Sequence, residues 1–202
     1  MPLWLDEQPL VLASGSAVRR MLLEATGIPV EVCPTSIDER AIEARAKLSA
    51  AAHVAALLAR EKALAGSAGR AGRLVLGADQ TLALGARRFS KPTDRDSARA
   101  QLSALRGRAH ELHSAIAVVR NQKILFEHIA SARLTMRDFS EQFLKDYLDK
   151  IGPAATASVG GYQLEGPGVQ LFDKIEGDNS TILGLPLLPL LAWLRGQGLL
   201  RT

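Results

Sequence analysis

Seven residues, Ser14-Gly15-Ser16-Ala17-Val18-Arg19-Arg20, lie between an apolar run and a helical period. Small residues there let the backbone approach a ligand, and a helix N-terminus offers free N–H groups at the positive end of a dipole. An arginine one turn in can fork onto phosphate oxygens. The segment, with Ser14, Ser16 and Arg19 as contacts, reads as a phosphate cradle or as ordinary serine capping beside solvated arginines. A Walker loop is excluded, because GxxxxGK[ST] does not occur. A second candidate is Asp79, in Gly77-Ala78-Asp79-Gln80-Thr81, expected at the carboxyl end of a buried strand where ligands gather in open α/β sheets. It can hold Mg²⁺ or orient a water, or it caps the next turn. Asp38-Glu39-Arg40, Glu61-Lys62 and Lys91-Pro92 add acids and bases. Phosphate chemistry needs cations for the substrate and carboxylates for a metal, although each group also reads as solvated charge. Glu165 stands among four glycines, Gly160, Gly161, Gly166 and Gly168. Its carboxylate can accept from the N1–H and 2-amino group of a guanine, or it decorates a turn between strands. Glu176–Thr181 similarly reads as a helix cap or as the polar wall of a site.

Other chemistries drop out. His110 and His113 are three apart on an expected strand, so they point to opposite faces, and His53 and His128 are isolated. Neither H-E-x-x-H nor a Cys/His set occurs, and G-x-S-x-G is absent. Cys33 is the only cysteine, which excludes an internal disulfide and favours a reducing, cytoplasmic setting.

The elements that must position these residues follow from periodicity. Pro9–Ser14 reads as a buried strand, and Ser14 or Ser16 caps a helix to about Thr26, whose Val18, Met21, Leu22 and Ala25 share one face. Ile28–Cys33 is a second strand, Ala50–Leu64 a helix and Arg73–Gly77 another strand. Thr93 or Asp94 opens a helix to Leu105, closed at Gly107. The period then becomes two. His110–Val119 and Lys123–Met136 form a hairpin turning at Asn121-Gln122. Ser140 caps a helix to Lys150, Ser158–Glu165 and Val169–Ile175 read as strands, and Thr181–Leu194 as an apolar helix. The result is an α/β fold with a mixed twisted sheet and flanking helices, in a single domain over residues 1–202.

Composition narrows the partners. Hydrophobic residues at 47% and charged ones at 23% are globular values, which exclude disorder as the main state. The longest apolar stretch is broken by Pro186 and Pro189, so no membrane segment is expected, and the N-terminus lacks the basic start of a secretory signal. A net charge of +4 favours an anion, yet the basic residues are interleaved with acidic ones and aromatics are only 4%. A small anionic substrate fits better than a nucleic acid.

Taken in order, the pieces resemble the Maf family of nucleoside triphosphate pyrophosphatases. The motifs are LASGSAVRR ending at Arg20, Asp38-Glu39, AREKA (59–63), LGADQT (76–81), Lys91-Pro92, LRGRAHELHSA (105–115), GGYQLEG (160–166) and IEGDNSTILGLPL (175–187). The resemblance implies two lobes around a cleft, a fold like that of inosine-triphosphate pyrophosphatases, and hydrolysis of a nucleoside triphosphate to the monophosphate and pyrophosphate with Mg²⁺ or Mn²⁺. It carries the catalytic proton acceptor onto Asp79, phosphate binding onto Arg19, the family lysines onto Lys62 and Lys91, and the glutamate near the second strand onto Glu39. Glu39 and Asp79 are the metal candidates. A homodimer is compatible with it.

Three positions depart from the subgroup that acts on dTTP and UTP. Val18 stands where that subgroup has arginine, Gln80 where it has threonine and Glu165 where it has glutamine. All three resemble the subgroup acting on 7-methyl-GTP, and a carboxylate suits a positively charged methylated purine. Ala17 replaces the family's usual proline. The family is also described as septum-formation inhibitors, so a non-catalytic regulator of cell division and a nucleotide sensor are rival classes. The Arg19, Asp79 and Lys91 set favours an enzyme that removes modified nucleotides.

Overall fold

The sheet begins with β1 (Leu10–Leu12), β2 (Val30–Val32) and the longer β3 (Val75–Leu84). β1 pairs in parallel with both neighbours, Leu12 lying opposite Val32 and Leu76. Leu10 and Leu12 pack with Leu76, Ile116 and Val118 on one side, while Val11 packs with Ala13 and Val75 on the other. A central parallel strand is covered on both faces, and so its sequence is continuously apolar rather than alternating. The computed structural model describes every residue from Met1 to Thr202. The remaining strands are β4 (Arg87–Phe89), β5 (Ala109–Arg120), β6 (Lys123–Met136) and β7 (Phe172–Glu176), in the order β2-β1-β3-β5-β6-β7 with β4 on β3. β4 and β7 run antiparallel to their partners, so the sheet is mixed as expected.

The chain forms two compact units. The first comprises Met1–Gln80, His113–Ala130 and Asp178–Thr202. It holds α1 (Ala17–Glu24), α2 (Glu39–Ala46), α3 (Ala51–Ser67), the single-turn α6 (Asn179–Ile182) and α7 (Leu187–Gly196). Leu23 of α1 and Leu190 and Leu194 of α7 join the leucine-rich face of the sheet. Ala55, Ala59 and Ala63 of α3 cover Ala115 and Ala117 of β5 on the alanine-rich face. A Cβ on Gly77 would lie 2.1 Å from the Ala59 carbonyl oxygen and 2.6 Å from Ala63 N. Backbone therefore touches backbone at this crossing, which only glycine allows.

The second unit comprises Thr81–Leu112 and Ser131–Gly177, with α4 (Arg95–Leu105) and α5 (Glu141–Ile151). Asp94 caps α4 in a capping box with Ser97, and Ser140 caps α5 through Phe143 N. No helix of the chain is long and apolar enough to cross a membrane.

Four expectations change. β3 runs on to Leu84, so Asp79 lies inside a strand and not at its carboxyl end. It is β1 that stops, with its pairing to β3 ending at Leu12 opposite Leu76, and this clears the edge of β3 beside Asp79. The expected strand Ser158–Glu165 is absent, and the strand expected from Val169 begins only at Phe172. Residues 152–171 form three 3₁₀ turns, because Gly160 and Gly161 take φ of 82° and 74° and a Cβ on Gly168 would meet Gln163 O at 2.3 Å. The expected tail helix is two helices, α6 and α7, separated by Gly184 at φ 91° and by Pro186. Helix α2 had no apolar period to announce it, since only Ile42 is buried. It is framed instead by the Asp38 cap and by Lys47 in left-handed backbone.

Candidate active site

All the geometry of the site lies in the first unit. At the end of β1, Ser14 Oγ accepts from Ser16 N at 3.3 Å, and Ser16 caps α1 by accepting from Arg19 N. One turn into α1, Arg19 is fastened to three segments. Its Nε donates to Gly184 O at 2.8 Å, and its Nη1 donates to Ala78 O at 2.8 Å and to Ser14 Oγ at 3.1 Å. All these partners are neutral, and Nη2 donates to no protein atom. Burial lowers the guanidinium pKa, opposed by the charges of Asp79 and Glu39.

Asp79 is 8% exposed. Its Oδ1 accepts from Lys62 Nζ at 2.6 Å, and the same Nζ lies 2.7 Å from Glu39 Oε1. Asp79 comes from β3, Lys62 from α3 and Glu39 from the first residue of α2, where the helix dipole favours an acid. The close approach of α3 at Gly77 is what lets Lys62 reach Asp79. Burial raises the Asp79 pKa above the usual carboxylate range, and Glu39 adds to this, while the charges of Lys62 and Arg19 pull it down. Burial thus pulls the Asp79 carboxyl toward its proton, and the two cations pull it toward its charge.

Gln80 ties three segments together. Its Nε2 donates to Ser114 Oγ, Thr181 O and Ile182 O at 2.9, 3.2 and 2.9 Å. Ser114 Oγ also donates to Thr181 O at 2.7 Å. Asp178 caps α6 by accepting from the backbone and hydroxyls of Ser180 and Thr181. The α6 segment is thus tied to β3 and β5 two residues before Gly184, the acceptor of Arg19.

The sequence-expected residues therefore divide. Ser14, Ser16, Arg19, Glu39, Lys62 and Asp79 are connected through the contacts just given, with Val18 half-buried in the first turn of α1. Lys91 and Glu165 belong to the second unit and are exposed. Sequence reasoning missed Ser114 and the carbonyls of Ala78 and Gly184. Backbone carbonyls carry no residue signature, although the glycine before Leu185-Pro186 does mark a break in the tail. His110 is in the second unit, 2.7 Å from Tyr162 through Nε2.

A family model for Maf-like proteins matches residues 9–197. A protein of Rhodopseudomonas palustris strain BisB5 named nucleoside triphosphate pyrophosphatase is 61% identical over 200 residues, covering 99% of each chain. One of Bradyrhizobium diazoefficiens with the same name is 55% identical over 200 residues, again with 99% of each covered. A Mesorhizobium japonicum protein named 7-methyl-GTP pyrophosphatase is 50% identical over 193 residues, covering 95% of this chain and 97% of its own.

Proposed function

The chain belongs to the Maf family, and we propose that it hydrolyses a nucleoside triphosphate to the nucleoside monophosphate and pyrophosphate. The observation that carries this is a buried carboxylate, Asp79, held 2.6 Å from an ammonium and beside Arg19, whose Nε and Nη1 are held by protein acceptors while Nη2 is left over. In this reading Arg19 Nη2 and the free N–H groups at the start of α1 bind phosphate oxygens. Asp79 Oδ2, which accepts from no protein donor, orients a water and takes its proton as the water attacks the α-phosphorus. The α-phosphorus–oxygen bond then breaks and pyrophosphate leaves with the electron pair. Before metal and nucleotide bind, the Lys62 ammonium favours the ionised form of Asp79.

The family implies a divalent cation, Mg²⁺ or Mn²⁺. Glu39 and Asp79 fit one, because both carboxylates already reach a single cationic atom and offer hard oxygens, with substrate and water to complete the shell. When bound, the cation neutralises charge on the phosphates.

For the base, the reading is 7-methyl-GTP, supported by Val18, Gln80 and Glu165 and by the name of the Mesorhizobium relative. Glu165 carries recognition of the guanine edge, Lys91 carries phosphate binding as the family resemblance assigns, and Gln80 acts by holding the α6 segment. The test is pyrophosphate release from a panel of standard triphosphates and 7-methyl-GTP with Mg²⁺ or Mn²⁺. Preference for 7-methyl-GTP, lost in Glu165→Gln, supports the reading. Preference for dTTP or UTP keeps the hydrolase and discards the base assignment, and release from no nucleotide overturns both.

A further inference from the structure

We infer that Lys62 is the resident cation of the Glu39–Asp79 pair, and that a divalent ion binds there only by displacing its ammonium. The identity of the ion rests on the pyrophosphatase reading; the exchange rests on the geometry. Lys62 Nζ lies 2.7 Å from Glu39 Oε1 and 2.6 Å from Asp79 Oδ1, where a single ion bridging both carboxylates would sit. A divalent ion and an ammonium cannot share that point, since they compete for the same oxygens and repel each other. The side chains differ in freedom. Those of Asp79 and Lys62 are 11% and 14% exposed, and that of Glu39 is 47% exposed. Asp79 is fixed on a strand, whereas Lys62 ends in a compact charge on a flexible four-carbon stem. Lys62 is therefore the member that moves.

Charge sets the order of events. Arg19 and Lys62 face Asp79 and Glu39, two cations against two anions. The set is neutral as it stands, so a divalent ion alone would leave surplus positive charge in a partly buried place. The negative charge of a triphosphate offsets that surplus, and its oxygens receive the released ammonium. Metal and nucleotide then bind together, and neither binds well alone. The contact with the acid pair and the contact with phosphate become two ends of one movement of Lys62.

The experiment measures Mn²⁺ affinity without nucleotide, by the electron paramagnetic resonance signal of the free ion. Lys62→Met should bind at least about ten-fold tighter than wild type, and adding Glu39→Gln should remove the gain. Arg20→Met, which deletes a charge elsewhere on α1, should change affinity less than about two-fold. No tighter binding by a folded Lys62→Met overturns the exchange. Should that variant not fold, wild type supplies the answer. Saturating Mn²⁺ should speed acylation of Lys62 several-fold, read by mass spectrometry, and an unchanged rate overturns the exchange. Wild-type pyrophosphate release separates the two claims. Turnover without the Mn²⁺ effects leaves the hydrolase and sinks the exchange; the Mn²⁺ effects without turnover do the reverse.

Discussion

In the first unit, Asp79 is 8% exposed and holds an ammonium at 2.6 Å, with Glu39 and Arg19 close by. In the second, His110 is 1% exposed and meets a hydroxyl at 2.7 Å and the rings of Tyr162 and Phe172. Burial works on both groups and moves them in opposite directions. It raises Asp79, and opposite charges answer it. It lowers His110 to about 4 and raises Tyr162, and no charge answers either of those desolvation shifts. One region keeps its buried charges by pairing them; the other discards charge and keeps a neutral hydrogen bond. His110 Nδ1 is left with no partner at all. Chemistry on phosphates needs the first arrangement, and the second serves to hold a glycine-rich segment of 3₁₀ turns that has no ladder to hold it.

The largest effect expected from breaking this contrast is at Asp79. Asp79→Asn keeps the shape, removes the base and should lower kcat by about 10²–10⁴ with an unchanged melting profile. Wild-type kcat in that variant would rule out Asp79 as the base. The neutral pair gives a stability effect instead. The folded His110 pKa is depressed, so the unfolded chain binds its proton more readily. Its contribution is fully present above the unfolded value of about 6.5 and is lost as pH falls toward 4, a change of up to about 3 kcal/mol. Urea titrations from pH 6.5 to 4.5 should show a steep fall in wild type and a shallower one in His110→Gln. Equal slopes would mean that His110 does not titrate in this window.

The smallest effect sharpens the link between packing and chemistry. Gly77→Ala pushes α3 off β3 and should cost about 1–3 kcal/mol in urea unfolding, with a fall in kcat as Lys62 is carried away from both the acid pair and the phosphates. Gly196→Ala, where a Cβ would meet nothing, is the control and should be neutral or slightly stabilising. Equal costs for the two would deny the close approach at Gly77.

Local chemistry was legible, and long-range geometry was not. Asn121 and Gln122 read as a hairpin turn and take φ of 53° and 61°, and Ser140 and Asp94 cap the helices expected of them. Glycines misled where they replaced regularity. Gly160, Gly161 and Gly168 convert an apolar stretch into turns, and alternation alone cannot report a positive φ. Within the site, the residue types pointed to Arg19 and Asp79 and the resemblance added Lys62, but nothing local says that Lys62 bridges Asp79 and Glu39. That bridge depends on the absent side chain at Gly77, on the run of alanines along α3 and on where β1 stops. Gln80 shows the same limit: the resemblance marked it as a subgroup position, and only the structure gives its contacts with Ser114, Thr181 and Ile182.

The most direct test of the central claim is to run the reaction in ¹⁸O-labelled water with Mg²⁺ and the preferred triphosphate, and to locate the label in the products by mass spectrometry. Attack on the α-phosphorus predicts one labelled oxygen in the nucleoside monophosphate and none in the pyrophosphate. Label in pyrophosphate or orthophosphate would place the attack elsewhere on the chain of phosphates and contradict the account.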